Sequence, residues 1–158
     1  MNIMEPLTRM DEQDGETVRV PAGAKSWESN DDGTVWTFTL NDNKWSDGEP
    51  VTAEDYVYGI KRTLDPESGS LNSYLITCIK NGKAVNNGEM SVDELGVKAV
   101  DDKTLKITLE QPTPYFLSLT DTRAMLPERQ DIVEKYGDTY GAEAGNIVCN
   151  GPFKMDTW

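Results

Sequence analysis

The sequence predicts an α+β fold, with an antiparallel or mixed β-sheet built from β-hairpins and several helices packed on it. Two observations lead to this class. Short segments alternate apolar and polar residues with a period of two and are separated by turn residues, which is typical of strands. One longer segment, residues 53–64, instead repeats its apolar residues with helical spacing. A chain of 158 residues has room for one core, so residues 1–158 are predicted to form a single domain.

The clearest strand signal lies at residues 34–40. Trp36, Phe38 and Leu40 fall on one face there, with smaller residues opposite. A turn at residues 30–33 joins this strand to an extended segment around Trp27, and together they predict a half-buried hairpin. Two further hairpins are predicted at residues 7–20 and 97–110. The apolar face of the second of these consists of Leu105, Ile107 and Leu109.

The main helix signal runs from Thr52, the predicted N-cap, to Leu64, and Asp65-Pro66 ends it because proline disfavours a helical residue before it. One apolar stripe, expected to pack on the sheet, consists of Ala53, Tyr56, Val57, Ile60 and Leu64. Shorter helices are predicted at residues 71–85 in one or two pieces broken near Asn81-Gly82, a capped turn at 91–95, and helices at 115–119 and 131–136.

Composition excludes several classes of function. The chain has 28 acidic and 15 basic residues, a formal net charge of −13, which disfavours nucleic acids and anionic membrane surfaces as partners. It contains no histidine, which excludes His-based catalysis and His-ligated zinc. The two cysteines, Cys78 and Cys149, are expected to be separate buried thiols, although a disulfide stays open. The first residues lack the basic and apolar regions of a signal peptide, so either the protein is cytoplasmic or its export signal lies outside this sequence.

Two acidic sequence motifs resemble a calcium-binding site and a catalytic site. Residues 43–54 place oxygen-bearing side chains at some positions of a calcium-binding EF-hand loop, but Trp45 and Pro50 interrupt it, and a turn leading into a helix explains it better. The pairs Glu54-Asp55 and Asp101-Asp102 suit a helix N-terminus and a hairpin turn better than acid–base catalysis. The residues therefore predict no catalytic group, no metal site and no cofactor, and a protein that is not an enzyme.

Five blocks of sequence resemble, in order and at family spacing, the extracellular solute-binding proteins of ABC importers, family 5. They are KWSDGEPVTAED at 44–55, RTLDP at 62–66, LGVKAVDDKTL at 95–105, PTPYF at 112–116, and GNIV followed by NGPF at 145–153. Family members are several times longer and have two lobes that grip the ligand. The resemblance implies that residues from about 5 to 129 are the small extra domain of the first lobe. Residues 1–4 and about 130–158 would be pieces of the main part of that lobe.

The resemblance implies that the full-length protein captures small solutes, most specifically oligopeptides, and delivers them to the membrane subunits of an ABC permease. Related proteins bind nickel, heme or sugars with the same architecture. The parent would be extracytoplasmic, either periplasmic or a cell-surface lipoprotein. The chain alone, without the opposite lobe, is expected to be a monomer with an incomplete site. Two alternatives stay open: a protein-interaction module, and a small hydrolase that uses paired carboxylates.

Three ligand-binding residues follow from the resemblance. The loop after Asp65-Pro66 often carries a cleft-facing tyrosine in peptide-binding relatives, and this chain has Asn72 there with Tyr74 just after. A second cleft position maps near Thr122. The competing interpretation is that Asn72 and Thr122 are ordinary loop residues and that Tyr74 anchors a helix.

Overall fold

Two antiparallel β-sheets form the frame of the computed structural model, which describes residues 3–157. The strands are β1 (Thr8–Gln13), β2 (Glu16–Pro21), β3 (Ala24–Ser29), β4 (Val35–Leu40), β5 (Val97–Asp101) and β6 (Thr104–Thr108). Strands β1 and β2 form a separate hairpin, and the four-stranded sheet has the order β3-β4-β6-β5. All three predicted hairpins and the α+β class are confirmed.

Short helices cover the sheet and connect its strands. The α-helices are α1 (Ala53–Leu64), α2 (Gly82–Asn86), α3 (Phe116–Leu119) and α4 (Gln130–Tyr136). Turns of 3₁₀ helix lie at Pro66–Ser68, Ser73–Ile76, Val92–Glu94, Arg123–Met125, Gly137–Thr139 and Ala144–Asn146. Among residues 3–157 no helix combines the length and the apolar character that crossing a bilayer requires.

The buried face of the sheet is the predicted one. In the strand register, Phe38 lies opposite Trp27 on one side and Leu105 on the other. Phe38 and Leu105 are fully buried, and Trp36 is partly buried. The Phe116 ring from α3 covers these aromatics, with its centroid 5.5 Å from that of Trp36 and 6.5 Å from that of Phe38. A dry aromatic and aliphatic layer therefore holds the domain together.

Helix α1 packs its apolar stripe on β5 and β6, as predicted. Its N-terminus is closed by a capping box between Thr52 and Asp55, in which the Thr52 N–H donates to Asp55 Oδ2 at 2.8 Å. The same carboxylate accepts a hydrogen bond from Trp45 Nε1 at 3.1 Å. Burial raises the pKa of Asp55. The turn before α1 and the helix itself are thereby tied together.

The predicted helical segment at residues 71–85 is two short pieces, Ser73–Ile76 and α2, and they are interrupted as expected near Asn81. Asn81 has a left-handed backbone (φ 64), which asparagine tolerates better than most residues. Cys78 is half-buried and Cys149 is buried, and both are free thiols in this structure.

Residues near the two ends of the chain meet each other. The Glu5 N–H donates to Asn150 Oδ1 at 2.9 Å, and the Gly151 N–H donates to the Ile3 carbonyl at 3.0 Å. The Ser46 N–H donates to the Cys149 carbonyl at 2.7 Å. The two ends of the described chain are thus joined to each other, and the C-terminal one also to the turn that precedes α1.

We expect Phe38→Ala to lower the free energy of unfolding by about 3–5 kcal/mol, because it empties a fully buried ring site. Trp36→Ala should lower it too, but by less, since Trp36 is only partly buried. The measurement is urea denaturation followed by circular dichroism. Val100→Ala is the control: Val100 is 58% exposed on β5, so its removal should change stability by less than about 0.5 kcal/mol. Unchanged midpoints for both aromatic variants would refute this core.

Gly59 lies in the middle of α1, where alanine would ordinarily stabilise the helix by about 1 kcal/mol. Here an added Cβ would overlap the carbonyl oxygen of Leu126. We therefore expect Gly59→Ala to destabilise the protein by about 1–3 kcal/mol in the same denaturation experiment. Gly145→Ala is the matched control, because nothing lies within 4 Å of its added Cβ. A Gly59→Ala protein that unfolds at a higher urea concentration than the wild type would show that residues 126–128 do not pack tightly on α1.

Candidate functional site

The candidate site is formed by two loop segments that follow α1 and α3. Each segment contains a turn of 3₁₀ helix, Ser73–Ile76 in the first and Arg123–Met125 in the second, and these turns pack against each other. Asn72 and Thr122 are the residues directly before them. The fold therefore brings the two sequence-predicted stretches to one place, although 50 positions separate Asn72 from Thr122 in the sequence.

Local hydrogen bonds shape the first segment. Asp65 ends α1, and its Oδ1 accepts a hydrogen bond from the Glu67 N–H at 2.9 Å. Gly69 then takes a left-handed backbone (φ 62), which turns the chain back. The Asn72 N–H donates to Ser70 Oγ at 3.3 Å. The loop is thus built by its own short polar side chains and not by burial.

A buried hydroxyl pair fixes the second segment to the β1–β2 hairpin. Thr8 Oγ1 and Thr120 Oγ1 are 2.6 Å apart, and both residues are fully buried. Arg19 Nη1 donates to Thr8 Oγ1 at 2.7 Å and to Asp121 Oδ2 at 3.0 Å. Because Asp121 directly precedes Thr122, this network sets the position of the predicted cleft residue.

The two segments border a shallow recess of about 310 Å³. It is lined by Arg62, Thr63, Ser68, Ser70, Leu71, Asn72, Arg123 and Glu128. At this recess the Arg62 guanidinium pairs with the Glu128 carboxylate at 2.9 Å and stacks 5.4 Å from the centre of the Tyr140 ring. Burial raises the pKa of Glu128, and the Arg62 charge opposes this rise. The recess is open on its outer side, where Leu71 is 88% exposed.

Two of the three predicted ligand-binding residues, Tyr74 and Thr122, are not among the residues that line this recess. Asn72 is half-buried and lines it. Tyr74 is 70% exposed, so it is not a buried helix anchor. Thr122 is half-buried, and its hydroxyl donates to the Leu119 carbonyl at 2.7 Å, which gives it a local structural role. Their contact with a ligand stays a prediction.

Sequence reasoning missed Arg123 and the exposure of Leu71 at this site. Arg123 follows Thr122 directly and is exposed. A basic residue next to a predicted cleft position, in a chain rich in acids, was the available signal. The exposure of Leu71 had no such signal, because leucine is one of the residue types most often buried.

The acidic motifs considered as alternatives have structural partners. Asp47 pairs with Arg129, 3.2 Å from Asp47 Oδ2 to Arg129 Nη1, and Asn43 Nδ2 donates to the Asn150 carbonyl at 2.9 Å. Asp101 accepts hydrogen bonds from the Lys103 N–H at 2.9 Å and from Thr104 Oγ1 at 3.0 Å, which lowers its pKa. Within residues 3–157, no group of three or more acidic or cysteine side chains is arranged to hold a metal ion.

A larger open groove of about 750 Å³ runs along the outer side of α1 between α4 and the 3₁₀ turn at Val92–Glu94. Acidic residues predominate among its charged lining residues, and Lys61 pairs across it with Asp93, 2.7 Å between Nζ and Oδ1. The charged groups here join neighbouring elements, so this groove adds no candidate for ligand binding.

Comparison with known proteins places this fold in a family. Residues 19–158 match the family described as "Bacterial extracellular solute-binding proteins, family 5 Middle". The chain is 44% identical over 156 residues to the oligopeptide-binding protein OppA of Bacillus subtilis, covering 98% of this chain and 28% of that protein. It is 40% identical over 161 residues to the probable deoxycholate-binding periplasmic protein YgiS of Escherichia coli, covering 100% of this chain and 29% of that protein.

The solved structures agree with the sequence relatives. The substrate-binding domain of an oligopeptide ABC transporter from Bacillus anthracis superimposes with a TM-score of 0.92 at 44% identity, over 99% of this chain and 30% of that one. The chain thus spans less than a third of the length of these relatives. The match covers both sheets and both segments of the candidate site. The chain belongs to the bacterial extracellular solute-binding proteins, family 5.

Proposed function

We propose that this chain is part of a longer receptor that binds oligopeptides outside the cytoplasm and delivers them to an ABC permease. The observation that carries the proposal is the combined match, in sequence and in fold, over nearly the whole chain to proteins named as oligopeptide-binding. We also propose a role outside the cytoplasm, in the periplasm or as a cell-surface lipoprotein; the description of the family as extracellular and the name of the periplasmic relative from Escherichia coli support the location outside the cytoplasm.

The geometry of the recess supports a receptor with a second lobe. A site that binds a small molecule tightly buries about 70–90% of the ligand surface. The recess is open on one side, and Leu71 in its lining is 88% exposed, as is Tyr74 in the adjoining Ser73–Ile76 turn at 70%. These side chains would be covered when an opposite surface closes on the solute. Ligand binding would then stabilise the closed arrangement of two lobes.

In this proposal, residues from about 5 to 129 form an extra domain of the first lobe and present one wall of the cleft. Asn72, Tyr74 and Thr122 are the proposed ligand contacts on that wall. Residues 1–4 and about 130–158 belong to the main part of the lobe. The hydrogen bond from the Gly151 N–H to the Ile3 carbonyl fits this division, because it joins the two outer pieces to each other.

A hydrolase is the weaker proposal, because the carboxylates with raised pKa values have structural partners. Asp55 is held by Thr52 and Trp45, and Glu128 is held by Arg62. A general acid or base needs a carboxylate that can reach a substrate proton. We therefore propose a receptor without catalytic activity, and one that needs no cofactor to bind its solute.

The test is isothermal titration of the longer receptor and of this chain alone with a mixture of short peptides. We expect the longer receptor to bind with a dissociation constant of about 1 μM or tighter, and this chain alone to bind at least about 100-fold more weakly, because a one-sided surface leaves the peptide in water. Deoxycholate, the ligand in the name of the Escherichia coli relative YgiS, is titrated in parallel as the alternative solute. Binding of deoxycholate but of no peptide would overturn the proposed solute, and micromolar binding by the chain alone would overturn the need for a second lobe.

A matched pair of variants in the longer receptor tests the site itself. Tyr74→Ala should weaken peptide binding roughly tenfold, since exposed aromatic side chains at a closing interface often contribute about 1–2 kcal/mol. Tyr115→Ala is the control, because Tyr115 is similarly exposed at 62% but directly precedes α3 and lies outside the two 3₁₀ turns of the site, whereas Tyr74 lies within the Ser73–Ile76 turn. Equal losses for the two variants would remove Tyr74 from the binding site.

A further inference from the structure

We propose that Arg123 makes this wall of the cleft selective for a carboxylate group on the bound solute. The inference rests on the proposed function and adds to it a preference within the class of peptides. The carboxylate has two sources in a peptide, an acidic side chain and the C-terminus, and the experiment below distinguishes them.

The first observation is the pairing of the arginines. The chain has five, and all lie within the described residues. Four are paired with carboxylates: Arg9 with Glu5, Arg19 with Asp121, Arg62 with Glu128, and Arg129 with Asp47 and Asp131. Arg123 has no ion pair within residues 3–157, although 28 acidic residues are present in the chain. Its guanidinium is therefore the arginine group available for an external anion.

The second observation is the position of Arg123. It follows Thr122 directly and lines the same recess as Asn72 and Leu71. Its segment is held in place from behind, because Arg19 pairs with Asp121 at 3.0 Å and Thr120 pairs with Thr8 at 2.6 Å. The backbone at Arg123 is thus held in place, although the Arg123 side chain is exposed. A positioned guanidinium can bind a carboxylate through two parallel hydrogen bonds.

The other groups in the recess complement a carboxylate. Asn72 contributes an amide, and the Ser70 hydroxyl keeps its hydrogen for donation, because its oxygen accepts from the Asn72 N–H. The acidic residue of the lining, Glu128, is neutralised by Arg62 at 2.9 Å and does not compete for Arg123 as a free charge. Exposed Leu71 offers an apolar contact for the methylene groups of a glutamate side chain.

The overall charge of the chain acts in the opposite direction. A formal net charge of −13 repels anionic peptides at long range. A preference for an acidic peptide over its neutral isostere can therefore not come from the general field of this domain. Such a preference requires a positive group close to the bound carboxylate. Tighter binding of the acidic peptide than of its neutral isostere would therefore indicate such a group.

The experiment titrates the longer receptor at low ionic strength with pentapeptides that contain a single glutamate at each position in turn, and with their glutamine isosteres. Each peptide is made with a free and with an amidated C-terminus. We expect at least one glutamate peptide, or the free acid against the amide, to bind roughly 3- to 10-fold tighter than its neutral counterpart. Arg123→Gln should remove that difference and leave the affinity for the neutral peptide unchanged within about twofold.

Lys98→Gln is the control, because it removes one exposed positive charge on β5, away from the recess lining. It should keep the preference. If no peptide binds at all, the proposed function fails and the carboxylate preference fails with it. If peptides bind but acid and isostere bind equally, or if the preference survives Arg123→Gln, the proposed function stands and the role of Arg123 is refuted. If Arg123→Gln weakens acidic and neutral peptides equally, Arg123 contributes to closure and not to selectivity, which also refutes the inference.

Discussion

The packing of Phe116 from α3 against the aromatic face of β4 is the interaction on which the rest of this structure depends. Phe38 and Phe116 are both fully buried, and their ring centroids are 6.5 Å apart. This contact fixes α3 to the sheet, and the segment that continues from α3 carries Thr120, Thr122 and Arg123. The core therefore determines where one half of the candidate site lies. Burial of such rings is worth about 1.5–3 kcal/mol each, more than the net contribution of about 0.5–1.5 kcal/mol of a typical uncharged hydrogen bond in the loops of the site.

Polar contacts then hold the two loop segments of the site in the position that the packing of the core gives them. The second segment is attached to the β1–β2 hairpin by the Thr8–Thr120 hydroxyl pair and by Arg19, and it lies against α1 at Gly59 because glycine leaves room for the Leu126 carbonyl. The first segment depends on turns formed by its own serines and aspartate. The second segment is thus braced on both sides, whereas the first is a local loop held by its own hydrogen bonds.

The strands and α1 could be predicted from the sequence because their apolar residues repeat with a clear period. Phe38 and Leu40 alternate on β4, and Tyr56 and Ile60 recur on one side of α1, so burial can be inferred from spacing alone. The meeting of the Asn72 and Thr122 segments could not be derived from spacing, since it depends on how α3 packs on the sheet. The family resemblance supplied those two positions. It did not supply Arg123; the sequence shows a basic residue beside Thr122, but only the structure shows that the other four arginines are paired with carboxylates and that Arg123 has no ion pair within residues 3–157.

The central claim is that this domain presents one wall of a solute cleft at the recess between the Ser73–Ile76 and Arg123–Met125 turns. The most direct test is a crystal structure of the longer receptor with a bound peptide. The account predicts peptide atoms within about 4 Å of Asn72, Tyr74 or Thr122 and a covered Leu71 side chain. A peptide enclosed elsewhere, with these residues still in solvent, would contradict it.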